Sequence, residues 1–396
     1  MEYYVILLPI ALLLATSKFL MKVCEKYNIP AVIGMLLAGI LIGLIRYIPG
    51  ETVLTATTME GLGFFAKIGV VLILFTAGLE TDLKKIKSIG GPAVIITIAG
   101  VVVPMALGFV VATLYNGGFS NLTHDQILTN VFYGIILTAT SVSVSVATLR
   151  ELGKLRSKVG TTIVAAAIID DILGIIALSF VLSMKGTGSG EAVNPLLVVI
   201  KTILYFAVVG VLALVAKRAF SWLDKKFAHH RLIPILSLAF CFIVAYASER
   251  WFGIADITGA YIVGLILSTN SDSGYIGRKA YILGYMIFVP IFFGNIGIAT
   301  KFSEINTSML LFGALFILAG MIGKVIGCGT AALCTHHNFS DSLKIGVGMM
   351  ARAEVALVTA QKGVEFGIID SSIMPFIVVL IIVTSFTTPV LLQRIY

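Results

Sequence analysis

The chain has 396 residues, of which 58% are apolar and only 12% are charged, and its formal net charge is +8. Its mean hydropathy is +1.04. This composition excludes a soluble domain and is typical of a helical protein that crosses the membrane many times. The net positive charge therefore indicates orientation in the membrane and contact with anionic lipid, and it does not predict nucleic-acid binding.

Hydropathy predicts an all-α polytopic membrane protein with about 13 transmembrane helices, joined by short loops. The first span, which begins near residue 3, lacks a basic segment and a cleavage site, so we do not expect it to be a removed signal. Alternate loops hold most of the 28 Lys and Arg residues. The positive-inside rule places these loops in the cytoplasm, with the N-terminus outside and the C-terminus inside.

The most informative span covers residues 160–184, GTTIVAAAIIDDILGIIALSFVLSM, because Asp170 and Asp171 lie near its middle. An ionised side chain at that depth costs at least about 3 kcal/mol, so such residues are usually functional. Adjacent residues on a helix point about 100° apart. One carboxylate can therefore face a cation-binding cavity while the other faces a neighbouring helix. A purely structural role, in packing or a salt bridge, remains the alternative.

Further charges lie deep in two later spans. Lys324 is at mid-depth in span 308–333, among glycines that permit close helix approach, and it needs a carboxylate partner to stay charged. Asp170 or Asp171 is the natural partner. Arg352 and Glu354 lie two residues apart in span 342–363. We interpret them as a polar pair whose role is structural rather than ion-binding.

Hydroxyl groups crowd the fifth span, GIILTATSVSVSVATLREL, where Thr140 and Ser141 lie at its centre. Alternating Ser and Val form helix poorly, because Ser and Thr compete for backbone hydrogen bonds. Locally unwound backbone at this depth must line a cavity or be buried in protein. Six spans precede and six follow a seventh, so the halves can form an inverted repeat in which spans 5 and 12 correspond. Paired polar interruptions of this kind indicate a transporter site.

The segment TATSVSVSVATLRELGKLRSKVGTTIVAAAIIDDILGIIAL resembles the core of the monovalent cation:proton antiporter-2 family, especially its NapA-type Na⁺/H⁺ antiporters. The similarity continues, in the family's order, through FTAGLETDLKKI, ITGAYIVGLILS, FVPIFFGNIG, IGKVIGC and ARAEVALV. It therefore covers nearly the whole chain. Glutathione-gated K⁺ efflux relatives carry a nucleotide-binding domain after the last span. Because no such domain follows here, we do not expect that form of gating.

The resemblance implies a role for each matching residue. Asp171 matches the acid that binds the proton or the cation, with Thr140 as a second Na⁺ ligand. Asp170 matches the acid that distinguishes members with an aspartate pair, and Lys324 matches its charge partner in electrogenic members. Ser141 lies with Thr140 on the unwound crossover.

Arg352 and Glu354 match the polar pair of the second broken helix, where a structural or gating role is expected. The implied fold is an inverted repeat with two broken crossing helices, in a homodimer. Its predicted parts are a scaffold and dimer domain from spans in 1–90 and 232–300, a linker helix at 194–216, and an ion-transport core from spans in 91–184 and 308–396.

We therefore expect a secondary antiporter, not an enzyme, that exchanges Na⁺ or Li⁺ for H⁺ by elevator-like alternating access. Electrogenic exchange, no cofactor, a place in a prokaryotic inner membrane and a role in pH homeostasis complete the expectation. A K⁺/H⁺ or mixed Na⁺/K⁺ antiporter is the main alternative. An organic-anion symporter, a channel and an intramembrane aspartyl protease fit poorly. The protease would need its two aspartates to face each other from separate helices.

Overall fold

The computed structural model describes residues 3–26, 31–81, 91–120, 122–155, 157–185, 195–226, 231–300 and 307–396. Within these ranges the chain is helical and forms no strand, which confirms the all-α prediction. In chain order the helices are α1 (Leu7–Lys26), α2 (Ala31–Gly43), α3 (Ala56–Glu80), α4 (Gly91–Tyr115), α5 (His124–Ile136), α6 (Val142–Glu151), α7 (Lys158–Lys185), α8 (Pro195–Lys226), α9 (Leu232–Ala247), α10 (Asp256–Leu267), α11 (Ser273–Leu283), α12 (Val289–Ala299), α13 (Thr307–Cys334), α14 (Phe339–Gly348), α15 (Glu354–Glu365) and α16 (Met374–Ile395).

Nine helical segments in the described ranges are long and apolar enough to cross a membrane. Two shorter apolar helices, over Ala31–Tyr47 and Asp256–Leu267, lie among them. The chain is thus an integral membrane protein. The predicted number of about 13 spans stays a prediction, because two of the predicted spans each consist of a pair of short helices, α5 with α6 and α14 with α15.

The chain divides into two compact units. The first combines Met1–Leu83 with Leu182–Ala299, and the second combines Lys84–Val181 with Thr300–Tyr396. Both units are therefore assembled from two separate stretches of sequence. The scaffold, linker and core roles assigned to these stretches remain predictions.

Helix α8 runs on to Lys226, well past the predicted linker 194–216. The extension, KRAFSWLDKK, is polar and basic, so hydropathy does not count it as membrane span. Its helix nevertheless continues, and Lys226 Nζ lies 5.0 Å from the centre of the Trp222 ring. A basic residue on an aromatic ring is typical of a helix that leaves the bilayer through the polar interface.

The first unit is packed through glycines that allow helix backbones to touch. A Cβ added at Gly264 on α10 would collide with the carbonyl oxygen of Phe75 on α3, and one added at Gly78 would collide with Tyr261 O. Small residues permit this close approach between helices in a membrane. Thr81 Oγ1 and Tyr261 Oη, 3.2 Å apart, form a hydrogen bond at the same contact.

The second unit contains the residues singled out as site candidates. A cluster of buried side chains joins its helices, with Ile96 on α4, Ile163 on α7, Cys328 on α13 and Ile345 on α14. This cluster fixes α7, which carries the aspartate pair, alongside α13, which carries Lys324.

We expect Gly264→Ala to lower the thermal stability of the detergent-solubilised protein, because the added methyl group must separate α3 from α10. Overpacking of this kind costs about 1–3 kcal/mol. The matched control is Gly63→Ala on α3, where a Cβ meets nothing within 4 Å, and it should leave the melting temperature unchanged or raise it. Equal melting temperatures for the two variants would contradict the packing argument.

Candidate functional site

The first helix break separates α5, which ends at Ile136, from α6, which begins at Val142. The intervening residues 137–141, LTATS, are buried. Thr138 Oγ1 donates to its own chain at Ile135 O, 2.8 Å away. Such local bonds replace helical ones, so the chain is unwound at Thr140 and Ser141 as predicted. The alternating Ser and Val residues that follow, which the sequence predicted to form helix poorly, are helical in α6.

The second break lies between α14, which ends at Gly348, and α15, which begins at Glu354. Its backbone is held by hydroxyl groups of α16. The Arg352 N–H donates to Thr384 Oγ1 at 3.0 Å, and Ser385 Oγ donates to Arg352 O at 3.1 Å. The last helix therefore replaces, for this residue, the hydrogen bonds that an unbroken helix would have supplied.

The two breaks meet through direct hydrogen bonds. The Ser141 N–H donates to Ala351 O at 2.8 Å, and Thr140 Oγ1 donates to Met349 O at 3.3 Å. Ser145 Oγ, one turn into α6, donates to Gly348 O at 2.5 Å. Thr140 and Ser141 thus lie at the crossover that the sequence predicted. Because a hydroxyl that donates keeps its lone pairs, the Thr140 oxygen can still coordinate a cation.

Arg352 fills the crossover with its guanidinium group. Its side chain is fully buried. Nη2 donates to Leu137 O at 2.7 Å and to Gly320 O at 3.0 Å. Nη1 donates to three carbonyls of the second break, those of Met349, Met350 and Ala351, at 3.3, 3.0 and 3.4 Å.

These contacts join the ends of two helices through Arg352. Leu137 and Met349 cap the C-terminal ends of α5 and α14, where unpaired carbonyls carry partial negative charge. The guanidinium group of Arg352 is permanently charged, so it neutralises the partial charge at both helix ends. Its hydrogen bond to Gly320 O also connects these ends to α13. The side chain of Glu354, the predicted partner, lies outside the described residues, so the predicted pair stays a prediction.

Lys324 and Asp170 form a buried ion pair across helices α13 and α7. Lys324 Nζ lies 2.6 Å from Asp170 Oδ1, and the side chains are 0% and 1% exposed. Asp170 Oδ2 is also buried and has no hydrogen-bond partner among the described residues. Removing one member of such a pair leaves an uncompensated charge at a cost of about 3–5 kcal/mol.

Asp171, the next residue along α7, is partly exposed. Asp170 and Asp171 lie one turn before Gly174, where an added Cβ would be 3.9 Å from Thr138 Oγ1 of the first break. The acid pair is therefore on the part of α7 that passes the crossover. The structure thus gathers carboxylates, hydroxyls and backbone carbonyls, the oxygen ligands that hard monovalent cations prefer.

Several site contacts were not predicted from the sequence. Thr384 and Ser385 could have been found, because TSFTT is a polar interruption in an otherwise apolar last span. The acceptors of Arg352 at Leu137 and Gly320 could not, because every residue has a backbone carbonyl. Among the residues that the structure describes, no group of three or more His, Cys, Asp or Glu side chains could hold a resident metal ion.

A helical membrane protein with two interrupted helices that meet, and with a buried Asp–Lys pair in the same unit, has the organisation of a secondary cation transporter. Residues 10–394 match the family described as "Sodium/hydrogen exchanger, transmembrane". The chain belongs to this family: it is a cation/proton antiporter and not an enzyme. The resemblance drawn from the sequence is thereby confirmed at the level of this exchanger family.

Individual relatives align with this chain over nearly their whole length. The chain is 33% identical to the Na⁺/H⁺-K⁺ antiporter GerN of Bacillus cereus, over 97% of this chain and 94% of the relative. It is 30% identical to a Na⁺/H⁺ antiporter of Enterococcus hirae, over 97% and 96%. The sodium proton antiporter MjNhaP1 of Methanocaldococcus jannaschii has a similar fold, with a TM-score of 0.73 at 19% identity, covering 99% and 97% of the two chains.

We expect Arg352→Lys to lower both thermal stability and transport, although it keeps the charge. A single ammonium group cannot reach both helix ends, and each lost hydrogen bond to a charged group costs about 1.5–3 kcal/mol. The control is Arg46→Lys, since Arg46 Nη1 donates to a single carbonyl, Ile298 O, at 3.3 Å. If both lysine variants melt and transport alike, Arg352 does not organise the crossover.

Proposed function

We propose that this antiporter exchanges cytoplasmic Na⁺ or Li⁺ for external H⁺, and that Asp171 binds either ion in turn. The observation that carries the proposal is the buried Lys324–Asp170 pair next to the partly exposed Asp171. Asp170 is held in an ion pair, whereas Asp171 is partly exposed, with its Oδ1 atom buried.

Competition for one carboxylate explains obligatory exchange. A proton or a cation neutralises Asp171, and the neutral site can cross the low-dielectric barrier, whereas the bare carboxylate cannot. Na⁺ would be coordinated by Asp171 and by Thr140 Oγ1, with carbonyl oxygens of the unwound segment and water completing the shell.

The Asp170–Lys324 pair makes the exchange electrogenic in this proposal. The pair is intact in the proton-loaded state. Arrival of a cation beside Asp170 weakens its attraction for Lys324, and the lysine then releases its proton. In this proposal the released protons come from Asp171 and Lys324. Two sites then exchange protons for one cation, and net charge crosses the membrane.

The wider setting belongs to the same proposal. The unit that contains the crossover would move as a body relative to the other unit, which would provide the homodimer contact. The N-terminus would lie outside and the C-terminus in the cytoplasm of a prokaryotic inner membrane, in contact with membrane lipids. Exchange in this direction would remove Na⁺ and serve pH homeostasis. No cofactor is required by the chemistry.

A second candidate is K⁺/H⁺ or mixed Na⁺/K⁺ exchange by the same residues. It is favoured by the name of GerN, a Na⁺/H⁺-K⁺ antiporter. Oxygen ligands suit both ions, and selectivity depends on ligand distances that the transported ion itself would set. Dissipation of a pH gradient by Na⁺, Li⁺ or K⁺ in proteoliposomes separates the two candidates directly.

We expect Asp171→Asn to abolish Na⁺-dependent dissipation of a pH gradient in proteoliposomes, because the amide cannot exchange a proton for a cation. The control is Glu60→Gln, which removes an exposed carboxylate from α3 and should leave exchange unchanged. Exchange by Asp171→Asn at the wild-type rate would overturn the proposal.

For Lys324→Gln we expect exchange to continue at a reduced rate but to become insensitive to membrane potential, since one proton-carrying group is gone. The measurement is Na⁺-driven pH change with the potential imposed by a K⁺ gradient and valinomycin, or clamped to zero. Lys67→Gln, which neutralises an exposed lysine of α3, should retain the wild-type response. If exchange by Lys324→Gln still responds to membrane potential, Lys324 does not carry a transported proton and has a structural role only.

A further inference from the structure

A pocket of about 460 Å³ lies in the first unit, between the end of α3 and the beginning of α11, and it is open on one side. Glu80 ends one membrane-length helix, and Ser273 begins another. Because both helix ends border the pocket, it lies where these helices meet the membrane surface. The lining residues that matter for its chemistry are Leu79 and Glu80 from α3, and Gly274, Arg278, Tyr281 and Ile282 from α11.

The pocket contains one carboxylate and one guanidinium group that do not pair. Glu80 and Arg278 both line it, yet neither forms an ion pair or a hydrogen bond with a residue that the structure describes. The Arg278 side chain lies along the first turn of α11, since a Cβ added at Gly274 would be 3.8 Å from Arg278 Nη1. The amino end of a helix favours negative charge, so this side of the pocket suits an anionic group, whereas Glu80 suits a cationic one.

Exposed apolar side chains lead away from the pocket along the same helical segment. Tyr281 and Ile282 are each 49% exposed, and Met286, one turn after Ile282, is 65% exposed. All three belong to the membrane-length segment Ser273–Ala299. Tyr281 stacks on Tyr285, with ring centres 4.1 Å apart, and tyrosines are enriched at the membrane interface. The pocket is therefore the polar end of an apolar stripe, which fits an amphiphile better than a water-soluble ligand.

We propose that this pocket binds the headgroup of phosphatidylethanolamine, a phospholipid that carries a phosphate and a primary ammonium group. Arg278 and the first turn of α11 bind the phosphate, and Glu80 accepts hydrogen bonds from the ammonium group. The acyl chains follow Ile282 and Met286. The ion-binding residues Asp170 and Asp171 lie in the second unit, so the lipid site does not rest on the proposed exchange mechanism.

Other common phospholipids satisfy fewer of these contacts. Phosphatidylcholine carries a quaternary ammonium group, which has no N–H to donate to Glu80. Phosphatidylglycerol has a phosphate for Arg278 but no cation for Glu80, and its negative charge is repelled by that carboxylate. The unpaired charges of the pocket therefore select the headgroup that has both a phosphate and N–H donors.

The test is thermal stabilisation of the full chain in detergent by phosphatidylethanolamine, phosphatidylcholine and phosphatidylglycerol with identical acyl chains. The ethanolamine lipid should give half-maximal stabilisation at about a tenfold lower concentration than the other two, the worth of one charged hydrogen bond. Without added lipid, Glu80→Gln and Arg278→Gln should melt like the wild type, because neither side chain is paired within the described part of the protein.

The two variants should lose lipid binding in different ways. Glu80→Gln should need about tenfold more phosphatidylethanolamine but bind phosphatidylglycerol no worse than the wild type does. Arg278→Gln should weaken the binding of all three lipids, because each has a phosphate. The matched controls are Glu60→Gln on α3 and Lys279→Gln, which changes the residue next to Arg278. Glu60 and Lys279 do not line the pocket, so both variants should keep the wild-type preference.

The outcomes separate the headgroup site from a general effect of lipid. If the three lipids stabilise the wild type equally, or none of them does, the proposal is wrong. It is also wrong if Glu80→Gln keeps the preference for phosphatidylethanolamine, or if Lys279→Gln weakens binding as much as Arg278→Gln does. Preferential stabilisation by phosphatidylglycerol would show a surface for anionic lipid in which Glu80 takes no part.

Discussion

The hydrogen bonds of the Arg352 guanidinium group are the interaction on which the second unit depends. Inside a bilayer every backbone polar group needs a partner from within the protein. Breaking two helices at the same depth frees carbonyls at both breaks, and one side chain with five fixed donors returns partners to several of them at once. Its contacts to Leu137 O, to Gly320 O and to the carbonyls of 349–351 hold three helices together. The oxygen-rich crossover can exist in an apolar medium for this reason.

The same contacts link the crossover to the ion pair. Gly320, which accepts from Arg352, lies on α13 one turn before Lys324, which bonds to Asp170. Two buried cationic side chains, those of Arg352 and Lys324, therefore lie at the same part of α13 but differ in chemistry. A guanidinium group does not give up its proton in proteins, whereas the charge of a buried ammonium group depends on its partner. Arg352, which is always charged, is bonded to backbone carbonyls, whose dipoles do not change. Lys324, whose charge depends on its partner, is bonded to the carboxylate of Asp170, which can bind other groups.

Much of this arrangement could be predicted from the sequence, and the limits have a physical cause. Ionised residues in apolar spans are costly and rare, so the aspartate pair and Lys324 stood out at once. The hydroxyl-rich fifth span predicted its own break, because Ser and Thr offer the backbone alternative partners. We paired Arg352 with Glu354 because the two residues are close in sequence. The backbone carbonyls that accept hydrogen bonds from Arg352 could not be predicted, because a backbone carbonyl leaves no trace in the side-chain sequence.

The second break has a consequence for how the protein is inserted during synthesis. Its half-helices α14 and α15 have 10 and 12 residues, whereas a span needs about 20. Neither can span the bilayer on its own, and both flank Arg352. That arginine bonds to Gly320 on α13, which the ribosome makes earlier, and to Thr384 and Ser385 on α16, which it makes later. The hydrogen bonds of Arg352 therefore cannot all form until α16 has been made, so the crossover is completed only after the helices on both sides of it in the sequence are present.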